Sequence, residues 1–133
     1  MVGMSVSVKY LGGKKFEATC RGHSIVVDQP ESEDGTDEGM TPVELLNASL
    51  SACAAYYVSF FLKRRVQDLN GLEVMASWQY SEKPHRVGTV NLTIIPPRAL
   101  TEQEKTGLLK SIEQCTVENT LKNAPEINVE VKD

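Results

Sequence analysis

Cysteine is the residue type in this chain best suited to chemistry. The sequence has three cysteines, Cys20, Cys53 and Cys115, and two histidines, His23 and His85. An odd number of widely spaced cysteines does not fit a disulfide framework, and two histidines leave little material for a metal site. A low-pKa thiolate can instead attack the O–O bond of a peroxide and become a sulfenic acid, which a second thiol converts to a disulfide. That chemistry needs two cysteines and a nearby cation, without a metal or an organic cofactor.

Cys53 lies in a segment that opens with a strong helix start. Thr41-Pro42-Val43-Glu44 combines a threonine N-cap, a proline at the first helical position and a glutamate that completes a capping box. No charged residue follows from Leu45 to Leu62, and Lys63-Arg64-Arg65 then places positive charge where a helix C-terminus favours it. The pattern predicts a helix of about 25 residues, with Asn70-Gly71 ending the segment.

The uncharged stretch is long enough to raise the question of a membrane span. Asn47 and several serines interrupt it, and its first half consists of small residues, so we expect no membrane association. A helix that is apolar nearly all round must be buried all round. A chain of 133 residues has few elements with which to wrap such a helix. We therefore expect an obligate homodimer with this helix near its centre.

Cys115 is predicted to lie on a second helix. Thr101-Glu102-Gln103-Glu104 forms another capping box, and Leu108, Ile112 and Cys115 follow at spacings of four and three residues. This spacing places Cys115 on the apolar face of that helix. A free cysteine is often simply a small buried apolar residue, and this simpler interpretation applies to Cys53, Cys115 and Cys20 alike.

Alternating apolar residues predict the strands. Three such segments come before the acidic loop of residues 29–40, two lie between the helices, and one lies at the end. In chain order, their alternating residues include Val6, Val8 and Tyr10; Phe16, Ala18 and Cys20; Ile25 and Val27; Val74, Ala76 and Trp78; Val90, Leu92 and Ile94; and Ile127, Val129 and Val131. Arg21 falls on the opposite face of the second strand. The order βββ-α-ββ-α-β indicates an α+β fold in a single domain, 1–133.

The charge balance limits the partners. Fourteen Lys and Arg against eighteen Asp and Glu give a net charge of −4, which disfavours nucleic acid as a partner. The segment from Met1 to Phe16 alternates polar and apolar residues and lacks the apolar core of a signal peptide. We expect a cytoplasmic protein in a reducing environment, where thiols stay reduced between reactions.

Three segments carry a resemblance to a known family. The run from Gly39 to Cys53, with Pro42 and Glu44-Leu45-Leu46 before a small-residue helix, resembles the first-cysteine motif of the OsmC/Ohr family of osmotically inducible and organic-hydroperoxide-resistance proteins. The run from Cys115 to Leu121 resembles its second-cysteine motif, and the run from Arg21 to Pro30 is similar to the entry strand of a less-characterised OsmC-like subgroup. The resemblance covers essentially the whole chain.

This resemblance implies an intertwined α+β homodimer with long central helices wrapped by sheets from both chains. It also implies thiol peroxidase activity on hydroperoxides, with Cys53 as the peroxidatic cysteine, Cys115 as the resolving cysteine and an external dithiol as reductant. Family members pair an Arg with a Glu beside the reactive thiol. Val43 stands where the family has that Glu, so Glu44, one residue later, and Arg21 are the candidates here.

Two other functions stay open at this level. One is a small-molecule binding module on the same fold with inert buried cysteines. A Cys53 pKa at or above the ordinary thiol value of about 8.5 would favour that module. The other is a redox sensor that is oxidised only occasionally. For the peroxidase, the aromatic residues Tyr56, Tyr57, Phe60 and Phe61 near Cys53 predict an organic hydroperoxide as substrate.

Overall fold

A computed structural model describes residues 4–133 as two compact units, one up to Leu46 and one from Asn47 onward. The strands are β1 (Ser7–Gly12), β2 (Lys15–Cys20), β3 (His23–Val27), β4 (Glu73–Ser81) and β5 (Arg86–Ile95). The helices are α1 (Pro42–Leu62), α2 (Glu102–Ile112) and α3 (Thr116–Lys122). The class is α+β, as predicted, but the predicted second helix is two helices.

The first unit is an antiparallel three-stranded sheet in the order β1-β2-β3. Gly12 and Gly13 both have positive φ angles, which glycine adopts at little cost, and they make the turn between β1 and β2. The alternation predicted for β1 is present, but Val8 and Tyr10 are 59% and 65% exposed. Within this unit, the outer strand therefore lacks a covered apolar face.

The acidic loop after β3 is organised by one buried carboxylate. Asp28 is 1% exposed, and it accepts hydrogen bonds from the backbone N–H groups of Gln29 and Glu38 and from the hydroxyl of Thr36. Glu38 also pairs with Lys15 at 2.7 Å. Burial acts to raise the pKa of Asp28, but these hydrogen bonds outweigh it and hold the pKa below its usual value. The acids of the loop are exposed, and the bonds to Asp28 tie the loop into an ordered entry to α1.

Helix α1 begins as predicted but ends earlier. The capping box is formed, since the Thr41 N–H donates to Glu44 Oε1 at 2.8 Å and the Glu44 N–H donates to Thr41 Oγ1 at 3.1 Å. The helix ends at Leu62 after 21 residues, and residues 63–65 form a turn instead of its last charged turn. Helix α1 is long and apolar enough to cross a membrane, but core helices of soluble proteins also meet this criterion of length and composition.

The core of the second unit lies between α1 and α2. Every fourth residue of α1 from Leu50 is buried, and α2 contributes the matching face; the buried core residues are Leu50, Ala54, Val58, Leu62, Leu108, Ile112 and Cys115. Gly107 allows the helices to approach closely, because a Cβ there would lie 2.8 Å from the ring of Phe61. The antiparallel β4-β5 hairpin packs the alternating residues Val74, Val90, Leu92 and Ile94 against this core. Tyr56 and Phe60, on the opposite face of α1, are each 63% exposed.

Helix α2 opens with the second predicted capping box. Thr101 and Glu104 exchange hydrogen bonds of 2.9 Å and 3.1 Å. Arg98 pairs with Glu104 at 3.0 Å and also donates to the Arg65 carbonyl beyond the end of α1. The Arg98 guanidinium, together with the Thr101 N–H, lowers the pKa of Glu104 to about 2. This cluster fixes the start of α2 to the turn that follows α1.

The predicted final strand is not formed. Residues 123–133 have no regular secondary structure, and Ile127, Val129 and Val131 are 79%, 88% and 92% exposed. The alternation that predicted a strand is real in the sequence. A strand requires a hydrogen-bonded neighbour as well as a pattern, and none of the described strands of this chain pairs with the segment.

Candidate functional site

Cys53 lies near the middle of α1, on the flank of its buried face. Its side chain is half-buried and packs against the core cluster beside Ala54 and one turn before Tyr57. The helix supplies a rigid position for the sulfur, since the residues on both sides of it remain within regular α-helix. Partial burial keeps the thiol reachable from solvent while it removes part of its water shell.

Cys115 lies where the chain breaks between α2 and α3. We predicted a position on a continuous helix, and this is wrong: α2 ends at Ile112, and Cys115 is the extended N-cap residue of α3, with φ −60° and ψ 115°. The prediction that it faces the core is confirmed, because its exposed fraction is 0%. Its N–H donates to the Ile112 carbonyl at 2.8 Å, which joins the two helices through this residue.

The break brings the start of α3 to the Cys53 sulfur. Burial acts to raise the pKa of the Cys53 thiol, but hydrogen bonds from the Val117 N–H, the Cys115 thiol and the Thr116 N–H outweigh it, so the pKa lies below its ordinary value. The Cys115 thiol is one of these donors, so the two sulfurs are adjacent. All three cysteines of the chain are unpaired thiols in this structure.

The two thiols are perturbed in opposite directions. Burial, and then the bond to the Cys53 sulfur, raise the pKa of Cys115, and the N–H groups of Glu118 and Val117 offset only part of this. Cys53 is therefore the thiol that ionises first, and Cys115 stays protonated beside it. Of the two thiols, Cys53 is thus the one more readily available as a thiolate nucleophile.

Glu118 is a residue of this site that the sequence analysis missed. Its negative charge acts on Cys53 and raises the pKa of that thiol, against the hydrogen bonds that lower it. Its carboxylate lies 3.4 Å from Lys122 Nζ, and its side chain is 24% exposed. The sequence did contain a signal for Glu118, because Cys115 and Glu118 have the same three-residue spacing as the capping pair Thr101 and Glu104.

Arg21 and Glu44 belong to the first unit. Arg21 was expected on a strand, but β2 ends at Cys20 and Arg21 lies in the turn that follows, exposed and with a φ of 51°. Alternation carried the prediction one residue too far because Gly22 makes the turn together with Arg21. Glu44 is engaged in the capping box of α1. Cys20, half-buried at the end of β2, is paired in register with His23.

A groove of about 620 Å³ follows α1 beyond Cys53. The four aromatic residues singled out from the sequence all line it, and three cations lie at its rim; the lining residues include Tyr56, Tyr57, Phe60, Phe61, Arg64, Arg65 and Lys110. The Arg65 guanidinium stacks over the Phe61 ring at 3.9 Å. Tyr57 links the groove to the cysteines, because it lines the groove and also packs against the core cluster that contains Cys115.

A metal site would need a cluster of ligating side chains. Across residues 4–133, no group of three or more His, Cys, Asp or Glu side chains is arranged to hold a metal ion. The chemistry available at Cys53 and Cys115 is thiol chemistry that draws on the backbone N–H groups of α3.

The fold and the paired thiols define a class of small α+β proteins with two facing cysteines. The chain matches the OsmC-like protein family over residues 35–130 and belongs to that family. It is 34% identical over 119 residues to an uncharacterised protein from Mycobacterium tuberculosis, an alignment that covers 85% of this chain and 84% of that protein.

Solved structures share the fold. A protein from Psychrobacter arcticus superposes with a TM-score of 0.79 at 22% identity, over 90% of each chain. An organic hydroperoxide resistance protein from Elizabethkingia anophelis superposes with a TM-score of 0.68 at 19% identity, over 93% of this chain and 91% of that one. These likenesses establish the OsmC-like fold predicted from the two cysteine motifs.

Proposed function

We propose that this protein is a thiol peroxidase that reduces organic hydroperoxides through Cys53 and Cys115. The observation that carries the proposal is the adjacency of the two sulfurs, with the pKa of Cys53 lowered and that of Cys115 raised. If both cysteines were inert core residues, hydrogen bonds from the N–H groups of Val117 and Thr116 to the Cys53 sulfur would serve no purpose. The name of the Elizabethkingia relative, a hydroperoxide resistance protein, supports the same class of substrate.

The reaction has three balanced steps. The Cys53 thiolate attacks the distal oxygen of the hydroperoxide, the O–O bond breaks, and Cys53 becomes a sulfenic acid while the alkoxide takes a proton and leaves as an alcohol. The Cys115 sulfur then attacks the Cys53 sulfur, which forms the disulfide and releases water. An external dithiol reduces this disulfide by exchange and is itself oxidised to a disulfide.

The groove beside α1 supports an organic substrate. Its aromatic walls offer apolar surface to a hydrocarbon group, and its volume lies within the range of about 300–1,000 Å³ that small-molecule sites occupy. Hydrogen peroxide would gain nothing from such walls. We therefore expect a bulky hydroperoxide to react faster than hydrogen peroxide.

The proposal includes one activating side chain from the first unit. Arg21 is exposed in the turn after β2, and the resemblance to a family that pairs an Arg with its reactive thiol supports it as the activating cation. Glu44 was the second candidate, and its carboxylate is already used at the start of α1. We assign Arg21 the supporting role and Glu44 a structural one.

We further propose that the protein works as a cytoplasmic homodimer. The face of α1 that carries Tyr56 and Phe60 is exposed in the single chain, as are Val129 and Val131 near its end. Isolated exposed apolar residues are common, but sets of them on one helix face or one alternating segment are typical of interfaces. A second copy seated on α1 would bury that face and close the groove around a substrate.

The test uses reduced protein, a slight excess of cumene hydroperoxide and mass spectrometry of the thiols. We expect a disulfide between Cys53 and Cys115, and we expect Cys53→Ser to lose peroxide consumption by at least about 100-fold because the nucleophile is gone. Cys20→Ser is the matched control and should retain wild-type activity. Full activity in Cys53→Ser together with no Cys53–Cys115 disulfide would show the mechanism to be wrong and would favour a binding module.

A further inference from the structure

The break between α2 and α3 changes the backbone hydrogen bonds that a continuous helix would make. Residues 113–115 form a tightened turn, in which three successive N–H groups donate to carbonyls three residues earlier, at 3.2, 3.3 and 2.8 Å. In a continuous α-helix the Glu113 carbonyl would accept the N–H of Val117, four residues later. Because α2 ends at Ile112, the Glu113 carbonyl requires a different donor.

The side chain of Asn119 supplies that donor. Its Nδ2 amide donates to the Glu113 carbonyl at 3.1 Å, and its backbone N–H donates to the Cys115 carbonyl at 3.0 Å. Asn119 lies within α3, whereas Glu113 lies before the break. The two bonds therefore hold the segment from Glu113 to Cys115 against the body of α3.

The end of α2 is itself attached to α1 close to Cys53. The Ser111 hydroxyl donates to the Tyr57 carbonyl at 3.2 Å, and Tyr57 lies one helical turn after Cys53. This bond makes the end of α2 a fixed point on α1. The amide bond of Asn119 consequently fixes the start of α3, and with it the buried Cys115, relative to the helix that carries Cys53.

The N–H that the break releases is used at the thiols. The Val117 N–H bonds to the Cys53 sulfur and acts to lower the pKa of that thiol. Without the Asn119 amide, the Glu113 carbonyl would draw the Val117 N–H back into a helical bond, since a backbone carbonyl that loses its donor takes the nearest one. The amide thus keeps the break open and leaves this N–H to the sulfur.

We propose that Asn119 is a positioning residue, whose amide keeps the break open and holds the Cys115 thiol beside Cys53 for disulfide closure. Its bonded partners are backbone carbonyls, so it acts on the reaction through the placement of Cys115. This inference rests on the proposed peroxidase function. In the step concerned, the Cys115 sulfur bonds to the Cys53 sulfur, the S–O bond of the sulfenic acid breaks, and the hydroxyl group leaves as water with the proton of the Cys115 thiol.

The test follows disulfide closure in Asn119→Ala. Reduced protein is mixed with one equivalent of cumene hydroperoxide and quenched at intervals, and the decay of the Cys53 sulfenic acid into the disulfide is measured by dimedone trapping and mass spectrometry. We expect closure to slow about tenfold, the factor by which the loss of one neutral hydrogen bond shifts a conformational population. Asn119→Gln carries the same amide on a longer side chain and should recover part of the closure rate.

A measurement without peroxide tests the same placement. The pH at which iodoacetamide labelling of Cys53 reaches half its plateau should rise in Asn119→Ala, because the Val117 N–H then turns from the sulfur to the freed carbonyl. Thr120→Ala is the matched control. The Thr120 hydroxyl donates to the Thr116 carbonyl at 2.8 Å within α3, so its loss should leave both closure and labelling unchanged.

The outcomes separate the inference from the function on which it rests. Asn119 is exposed, so its truncation leaves the core intact, and circular dichroism checks that the variant is folded. Closure at the wild-type rate in Asn119→Ala would overturn the inference, as would an equal slowing in Thr120→Ala, which would indicate a general weakening of α3. Absence of a disulfide in the peroxide-treated wild type would instead overturn the proposed function. The labelling shift does not depend on that function and would still support the placement of the thiols by Asn119.

Discussion

The starts of α2 and α3 are built on one spacing and serve different ends. At α2, the Thr101 hydroxyl and the Glu104 carboxylate bond to each other's backbone N–H groups. At α3, a thiol replaces the hydroxyl, and backbone N–H groups of the first turn act on the sulfurs of Cys53 and Cys115 instead. The same orphan donors of a helix start can thus either hold the helix or set the ionisation of a nucleophile.

The largest expected effect comes from Cys115→Ser, which turns the α3 start into one like that of α2. We expect no disulfide and an accumulating Cys53 sulfenic acid, because the attacking sulfur is missing. The unfolding free energy should change by less than about 1 kcal/mol, since serine is a better N-cap than cysteine and offsets the lost burial. Urea unfolding and dimedone trapping measure the two effects. A loss of several kcal/mol would show that the thiol holds the helix after all.

The next effect concerns pH. Because the pKa of Cys53 is lowered and that of Cys115 is raised, Cys53 should be the faster thiol to alkylate at neutral pH. The Cys53 rate should rise through a pKa below the ordinary thiol value and level off where Cys115 is still climbing. Rates of iodoacetamide labelling between pH 5 and pH 10, resolved by peptide mass spectrometry, give both curves. If the labelling rates of the two thiols depended on pH in the same way, the start of α3 would not set the ionisation of Cys53.

The smallest effect is expected at α2 itself. Thr101→Ala removes the hydroxyl cap, and we expect a loss of about 1 kcal/mol in unfolding free energy with no change in the rates of Cys53 oxidation or disulfide closure. Thr101→Ser keeps the hydroxyl and is the matched control, with nearly wild-type stability. If Thr101→Ala altered the thiol chemistry, the two helix starts would be coupled rather than parallel.

Much of this architecture could be predicted from the sequence because its signals are local. The capping boxes at Thr41 and Thr101 depend on residues three apart, and both are confirmed with the predicted partners. The faces of β4 and β5 follow from alternation, and residues such as Ala76 and Leu92 lie on the half-buried face. The OsmC-like fold was likewise recognisable from the two cysteine motifs.

The rest depended on tertiary contacts that no local pattern encodes. The chain breaks at Glu113-Gln114 without a proline or glycine, so helix periodicity ran on to Cys115. The tail around Val129 has a strand pattern but no pairing partner within the described chain. Glu118 escaped notice because its charge acts on Cys53, which is 65 residues earlier in the sequence, and no local spacing encodes that relation.

The break between α2 and α3 also has a mechanical consequence. A disulfide needs its sulfur atoms about 2 Å apart, closer than any hydrogen-bonded pair of thiols. Cys53 is fixed in the middle of α1, so the shift must come from the segment around Gln114, which belongs to neither helix. Under the proposed mechanism, backbone rotation over these few residues would bring the Cys115 sulfur to Cys53 while the turns of α2 and α3 stay intact, so the break would act as the hinge of disulfide formation.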